Sequence, residues 1–438
     1  MLKRKAYQDM LFWKKHKTKQ GLLVAGARQV GKTFLIREFA RKEYEIYAEL
    51  NLIEHTTAKK ILSEATDSAD LFLRITTLMD VELIPGKTLI FIDEVQESKE
   101  LVTAIKFLVD NYDYDFVLSG SLLGVELKNI RSIPVGYLDT IEMYPLDFEE
   151  FCWANGVGEE LLSHIEKAFC DKAPIPDFLH DKMMKLFHEY LIVGGMPAAV
   201  SGFVESNNIQ IVRKIQSTII HQHKQDVSKY NSDEALTIKR IYDLIPSELD
   251  KQNKRFIIGN VEGKARFNYY QNNFLWLVDA GVALPAYAVT SPTYPLKLSL
   301  TPNLFKFFML DVGLLTSTFL KDTSLQILNR NDAINYGSIY ENVVAQELYA
   351  HGFELYYYNN KKFGELDFVI ERADGTILPI EVKSGKTYKR HKALSNVLDA
   401  KNYALPQGYV FCNSNIKQIG KILYLPIYLV SQFFADKN

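Results

Sequence analysis

Eight consecutive residues, Gly26-Ala27-Arg28-Gln29-Val30-Gly31-Lys32-Thr33, constrain this chain more than anything else in it. They fit the pattern G-x-x-x-x-G-K-[ST], and their setting gives the pattern physical meaning. An apolar, strand-like Leu22-Leu23-Val24-Ala25 precedes them, and Phe34-Leu35-Ile36-Arg37-Glu38-Phe39-Ala40, with helical spacing of apolar residues, follows. The glycines let the backbone curl so that successive N–H groups of residues 26 to 33 face one anion. The N-terminus of the helix adds partial positive charge there. Lys32 has the reach for the β- and γ-phosphates of a nucleotide, and the Thr33 hydroxyl is placed to ligate Mg²⁺.

The other half of such a site lies further along. Thr88-Leu89-Ile90-Phe91-Ile92-Asp93-Glu94 is an apolar run ending in two carboxylates, as a buried parallel strand delivers them at its C-terminal edge. Asp93 is expected to hold Mg²⁺ through water, and Glu94 to orient and deprotonate an attacking water. A strand that merely ends in solvated acids is the plainer reading, but Lys32-Thr33 already demands a metal partner. With the second acid present, hydrolysis fits better than a kinase or a switch. A further strand, Phe116-Val117-Leu118-Ser119, runs into Ser119-Gly120-Ser121. Hydroxyls at Ser119 and Ser121 either sense the γ-phosphate or cap a helix beginning at Leu122-Leu123, and both readings stand.

Strand-like and helix-like segments alternate from Leu22 to Tyr144, the rhythm of a parallel sheet. Tyr44 to Ala48 reads as a strand, and Ser98 to Asn111 as a helix with an apolar stripe of Leu101, Ile105, Phe107 and Leu108. Phe148 to about Ser228 is mostly helical and contains Tyr190-Leu191-Ile192-Val193-Gly194-Gly195-Met196-Pro197, a helix end punctuated by glycines and proline. Helix-like segments then lead to a strand-like Val282 to Val289, and short helices followed by a β-ribbon suggest a winged helix. The stripe Tyr270, Phe274, Leu277 and Val278 reads as core. Lys251, Lys254, Arg255, Lys264 and Arg266 form a local basic excess, a solvated face in the plainer reading and a phosphate contact in the other.

At 438 residues, with 47% apolar and 24% charged, the chain suits a globular protein of two to four domains. Its net charge of -2 advertises no global affinity for nucleic acid, so any such surface is a local patch. Cys152, Cys170 and Cys412 lack metal-ligand spacing and read as reduced thiols. The basic start, Met1-Leu2-Lys3-Arg4-Lys5, is followed by no uninterrupted apolar core, and no stretch reaches transmembrane length, so a cytoplasmic protein away from membranes is expected.

The C-terminal part carries Gly364-Glu365-Leu366-Asp367-Phe368-Val369-Ile370, then Ala373-Asp374-Gly375, then Leu378-Pro379-Ile380-Glu381-Val382-Lys383. Both flanks alternate, and Asp-Gly between them marks a hairpin turn. With Arg372 facing Thr376, counting outwards sets Asp367 opposite Glu381 on one face, and Lys383 points the same way. Two carboxylates and a lysine suit Mg²⁺-dependent phosphodiester cleavage, the acids holding metal and the lysine steadying charge. Cross-strand ion pairing on a wet sheet face is the other reading. Glu341, in a helix-like Ser338 to Ala350, is either a further acid or an ordinary exposed position. Lys386, Lys389, Arg390 and Lys392 follow and suit a nucleic-acid backbone.

Gly26 to Thr33, Leu89 to Glu94, Ser119-Gly120-Ser121, Gly194 to Pro197, Trp276-Leu277-Val278-Asp279-Ala280-Gly281 and Phe305-Lys306-Phe307-Phe308-Met309-Leu310-Asp311-Val312-Gly313-Leu314-Leu315, in that order, resemble a family of prokaryotic AAA+ ATPases across nearly the whole chain. The resemblance implies an α/β fold. A P-loop AAA+ parallel sheet would occupy residues 1–146, a helical lid 147–231, a winged-helix middle region 232–325 and a restriction-endonuclease-like α/β domain 326–438. It implies ATP and Mg²⁺ as cofactors, nucleotide roles for Lys32, Thr33, Asp93 and Glu94, and a D…E-x-K nuclease signature at Asp367, Glu381 and Lys383. Relatives usually carry Gly-Arg where this chain has Gly136-Tyr137, which leaves Arg131 as the nearest arginine. Such sites commonly borrow an arginine from a neighbouring subunit, so a homo-oligomer is expected. The implied function is ATP hydrolysis driving conformational change, acting on DNA through the nuclease-like domain. A nucleotide-gated DNA-binding module that does not cut and an ATP-controlled nuclease are the alternatives.

Overall fold

The computed structural model describes residues 2–79, 81–121, 136–227, 232–261, 267–319, 323–328 and 336–435. Arg131, Lys264 and Arg266 lie outside them, as does the proposed helix start at Leu122-Leu123. The chain forms two compact units, one essentially residues 3–144 and the other essentially 145–278 with 282–438.

The first unit runs α1 (Ala6–His16), β1 (Gly21–Ala25), α2 (Lys32–Glu43), β2 (Ile46–Asn51), α3 (Thr56–Ser63), α4 (Ser68–Thr77), β3 (Thr88–Asp93), α5 (Lys99–Asn111), β4 (Asp115–Gly120) and β5 (Leu138–Glu142). The strands order as β2-β3-β4-β1-β5, each neighbouring pair parallel. Every residue of β1 and β3 is buried, which is why both read as unbroken apolar runs. With β4 between β1 and β3, the loop after β1, the serines at the end of β4 and the acids at the end of β3 share one sheet edge, the usual ligand edge of an open parallel sheet.

Two sequence expectations shift. The second strand begins at Ile46 rather than Tyr44, because the Tyr44 N–H still closes α2 on the Ala40 carbonyl at 3.1 Å; it then extends to Asn51. In α5, capped by the Ser98 hydroxyl, Leu101, Ile105 and Leu108 are buried with Val102 and Val109, but Phe107 is 45% exposed. Two residues beyond Ile105, it is turned about 200° away from the buried stripe.

The second unit opens with α6 (Phe148–Ala154), α7 (Glu159–Cys170), α8 (Asp177–Val193), α9 (Pro197–Ser206), α10 (Ile209–Val227), α11 (Ser232–Leu249) and α12 (Phe267–Asp279). It continues through β6 (Ala283–Val289), β7 (Leu300–Met309), α13 (Val312–Ser317), α14 (Thr323–Leu328), α15 (Tyr336–Ala350), β8 (Tyr356–Asn360), β9 (Gly364–Glu371), β10 (Ile377–Val382), α16 (Lys392–Asp399), β11 (Gly408–Cys412), β12 (Lys417–Ile419) and β13 (Ile422–Pro426). One sheet, ordered β12-β13-β11-β10-β9-β8-β6-β7, unites the strands. Helices followed by an antiparallel ribbon, β6 and β7, are present as the sequence suggests. The ribbon is not a free wing: β6 also pairs in parallel with β8, Tyr287 against Tyr356, so it forms one side of the large sheet. The expected boundary at 325/326 is thus crossed by continuous β-structure.

Two separated glycine motifs meet within this unit. After α8, Gly194 takes φ +70°, and the Gly195 N–H donates to Asp311 Oδ2 at 2.6 Å while Oδ1 of Asp311 caps α13 by accepting from the Leu314 N–H at 2.9 Å. A Cβ on Gly195 would lie 2.0 Å from the Leu146 carbonyl oxygen, and one on Gly313 2.5 Å from that of Val193. These glycines permit backbone contact rather than flexibility.

Candidate functional site

Four strands deliver polar side chains to one edge of the first unit's sheet. From β1 the chain enters the phosphate loop at Gly26, whose φ of +141° suits only glycine and whose Cβ would lie 2.2 Å from the Met143 carbonyl oxygen. The loop is braced from behind: the buried Arg4 guanidinium donates to the carbonyls of Val30 (3.0 Å) and Tyr144 (2.6 Å). Lys32, at the start of α2, folds back over the loop and donates to the carbonyls of Gly26 (2.9 Å) and Ala27 (2.8 Å). Burial lowers its ammonium to about 8, opposed by the nearby Glu94 and Asp93.

Asp93 is the hub. Its Oδ2 accepts from the Thr33 hydroxyl at 3.0 Å and the Asn51 amide at 3.1 Å, and its Oδ1 from the Ser119 hydroxyl and the Glu94 N–H (3.1 Å). Burial pushes the Asp93 carboxyl above its ordinary range, against the hydroxyls of Ser119 and Thr33 that hold it down. A carboxylate and a hydroxyl so joined fit a hard, oxygen-seeking divalent ion, and Thr33 and Asp93 would hold Mg²⁺ with water completing the shell. Glu94 follows in the left-handed region, φ +58°, uncommon for a residue with a side chain. Its Oε2 accepts from the Gln96 amide (2.5 Å), the Ser121 hydroxyl (3.0 Å) and, more loosely, the Ser121 N–H (3.4 Å). The structure therefore gathers Lys32, Thr33, Asp93, Glu94, Ser119 and Ser121, and uses both serines on the acids. Tyr137, where an arginine was expected, offers its carbonyl to the Gly21 N–H at 2.9 Å.

Three partners escaped the sequence reading. Asn51 emerges only once β2 is extended, and its own Oδ1 is fixed by the N–H groups of Ile53 (2.9 Å) and Glu54 (3.0 Å). Gln96 belongs to the turn after Glu94, and Arg4 is distant in sequence from the loop it braces.

A second constellation lies in the second unit. The hairpin pairs Phe368 with Ile380 and Glu371 with Ile377, the counted register, and one further step in that register sets Asp367 opposite Glu381. Asp367 Oδ2 accepts from the Val382 N–H at 2.7 Å, and Lys383 Nζ donates to Glu381 Oε1 at 2.6 Å. Glu381 is 6% and Glu341 4% exposed, which excludes both the wet-face reading and an exposed helix position for Glu341. In the basic segment after α11, Lys254 and Arg255 turn inward, Lys254 pairing with Glu341 and Arg255 with Glu365 (3.3 Å), while the more exposed Lys251 pairs with Glu248 (2.5 Å). From β7, Lys306 joins them, 1% exposed. Burial raises Asp367 and Glu381, whereas Lys306 and Lys254 hold Glu341 below its ordinary range despite burial.

Residues 18–152 match the family described as AAA domain. Residues 184–325 and 336–430 match two families each described as a domain of unknown function, DUF8612 and DUF4143. No curated protein matches the chain. Among solved structures, a Walker-type ATPase of Pyrococcus abyssi is similar at 12% identity, over 72% of this chain and 95% of that one, with a TM-score of 0.45. The Orc1 protein of Aeropyrum pernix, solved in complex with DNA, is similar at 10% identity over 76% and 93%, TM-score 0.30. The RuvB Holliday junction branch migration motor of Thermotoga maritima is similar at 15% identity over 64% and 89%, TM-score 0.29. The AAA match spans all five strands of the first unit's sheet and the phosphate loop between β1 and α2. No described helix is long and apolar enough to cross a membrane.

Proposed function

We propose that the chain is an ATPase in which hydrolysis of Mg-ATP at the edge of the first unit drives conformational change, and that it acts on DNA through the second unit. One observation carries the hydrolytic reading: Lys32, Thr33, Asp93 and Glu94 converge on one sheet edge, with Ser119 and Asn51 orienting the acid. In this reading Lys32 leaves its loop carbonyls for the β- and γ-phosphates. Thr33 and Asp93 would hold Mg²⁺, which would supply positive charge beside the phosphates. Glu94 exchanges Gln96 and Ser121 for the attacking water, so catalysis requires a local rearrangement.

The DNA reading is supported by the exposed Lys386, Lys389, Arg390 and Lys392, which follow the Asp367, Glu381 and Lys383 hairpin and suit phosphate contacts. Phosphate release by the purified chain, measured with and without duplex and single-stranded DNA, tests both parts. The expected result is Mg²⁺-dependent release that DNA stimulates and Lys32→Ala abolishes, with DNA affinity weakened by Lys389→Glu and Arg390→Glu. No release under any of these conditions refutes the ATPase, and release indifferent to DNA, with no binding at low salt, refutes the DNA partner.

A further inference from the structure

The acid cluster of the second unit already contains a cation. Lys306 projects from β7 with its Nζ 3.2 Å from Glu365 Oε1 and 3.5 Å from Glu341 Oε2, and over the Tyr357 ring at 5.0 Å. Asp367 adds its field to those of Glu341 and Glu365, and together they hold the ammonium above its ordinary range although burial alone would lower it. With it stand four carboxylates, Glu341, Glu365, Asp367 and Glu381, and three further basic groups, Lys254, Arg255 and Lys383, among the described residues. Their formal charges cancel without any ion from solution.

A divalent metal in a nuclease site needs several carboxylate oxygens free to close on it at about 2.0–2.6 Å. Few are free here. Glu365 uses Oε1 for Lys306 and Oε2 for Arg255 and the Asn359 amide (2.7 Å). Glu341 meets Lys254 and Lys306, Asp367 Oδ2 takes the Val382 N–H, and Glu381 Oε1 takes Lys383. Glu341 Oε2 and Glu381 Oε2 have no hydrogen-bond partner among the described residues, but the Lys306 ammonium stands 3.5 Å from the first, and two such oxygens do not make a shell. Lys254 could swing outward, since its side chain keeps 15% exposure, but Lys306 has nowhere to go. At 1% exposure it is held in a β7 segment paired with Ala286 on one side and Arg255 on the other, among buried Phe305, Phe307 and Phe308. A dication would have to share the cluster with a fixed ammonium, and like charges brought that close in a low-dielectric interior repel strongly.

We propose that Lys306 permanently fills the cation position of this cluster, so that the second unit takes no divalent metal there and holds nucleic acid without cutting it. The non-cutting clause rests on the DNA reading; exclusion of metal does not, and is measured without DNA.

The experiment counts Mn²⁺ bound to the nucleotide-free full-length chain by electron paramagnetic resonance, in wild type, Asp367→Asn and Lys306→Met. Any ion at the phosphate loop is common to all three and cancels. Wild type and Asp367→Asn should bind the same number, and Lys306→Met one more per chain, because its carboxylates have lost their internal cation. A wild-type chain that binds one ion more than Asp367→Asn overturns the proposal, as does a folded Lys306→Met chain that gains none. If Lys306→Met does not fold, the wild-type and Asp367→Asn pair still decides: equal counts support metal exclusion and unequal counts refute it. Mg²⁺- or Mn²⁺-dependent DNA cleavage by wild type that Asp367→Asn abolishes also overturns it.

Discussion

ATP affinity should fall as pH rises above 8, with a slope approaching tenfold per pH unit, and one lysine is the reason. In the ligand-free chain burial lowers Lys32 to about 8, from an ordinary value near 10.4. Bound phosphates surround the same ammonium with negative charge and pull it back up. Below pH 8 the lysine is charged both free and bound, so this group leaves affinity flat. Above 8 the free lysine is neutral while the bound one stays charged, and each binding event takes up a proton. Each pH unit well above 8 then costs about 1.4 kcal/mol of binding, and because half of the free lysine is already neutral at pH 8, the loss from pH 8 to 10 is about 50-fold. ATP carries its full charge throughout this range and contributes no slope. Calorimetry in two buffers of different ionisation heat measures both the affinity and the proton, which should approach one per ATP. Lys32→Arg, whose guanidinium stays charged, should bind with a flat profile. A wild-type affinity constant from pH 7.5 to 9.5 without proton uptake refutes the reasoning.

Gly195→Ala should lower the stability of the second unit by about 3 kcal/mol or more, since its Cβ would sit 2.0 Å from a Leu146 carbonyl that also accepts the Tyr190 hydroxyl at 2.7 Å. An unchanged urea midpoint contradicts that. If a neighbouring subunit supplies the arginine that Tyr137 does not, hydrolysis per subunit should rise with protein concentration, by roughly 10³-fold at the limit. A rate per subunit that stays flat from dilute to concentrated protein identifies a self-contained site.

What the sequence made legible was whatever local chemistry fixes. The phosphate loop, Asp93-Glu94 and Ser119 are contiguous with the strands that carry them, and a parallel sheet leaves those strands little freedom. The Asp367 and Glu381 register followed from a single Asp-Gly turn, because alternation permits no half-step. The misses are long-range. Nothing local in Lys254 announces Glu341, which lies 87 residues beyond it, and in sequence that lysine reads as a solvated face or a phosphate contact. The ribbon of β6 and β7 resembles a wing in sequence because local pattern specifies a hairpin but not its neighbour β8, which follows three helices later in the chain. Asn51 was hidden by a strand placed two residues early.

The most direct test of the hydrolytic assignment is single-turnover phosphate release from Mg-ATP by wild type and Glu94→Gln, with ATP affinity measured on both. Glutamine keeps the shape and the hydrogen bonds of Glu94 but cannot take a proton, so affinity should be unchanged and release at least about 100-fold slower. Release by Glu94→Gln at the wild-type rate contradicts the account, because the water would then be activated by some other group than the carboxylate that Gln96 and Ser121 hold beside Asp93.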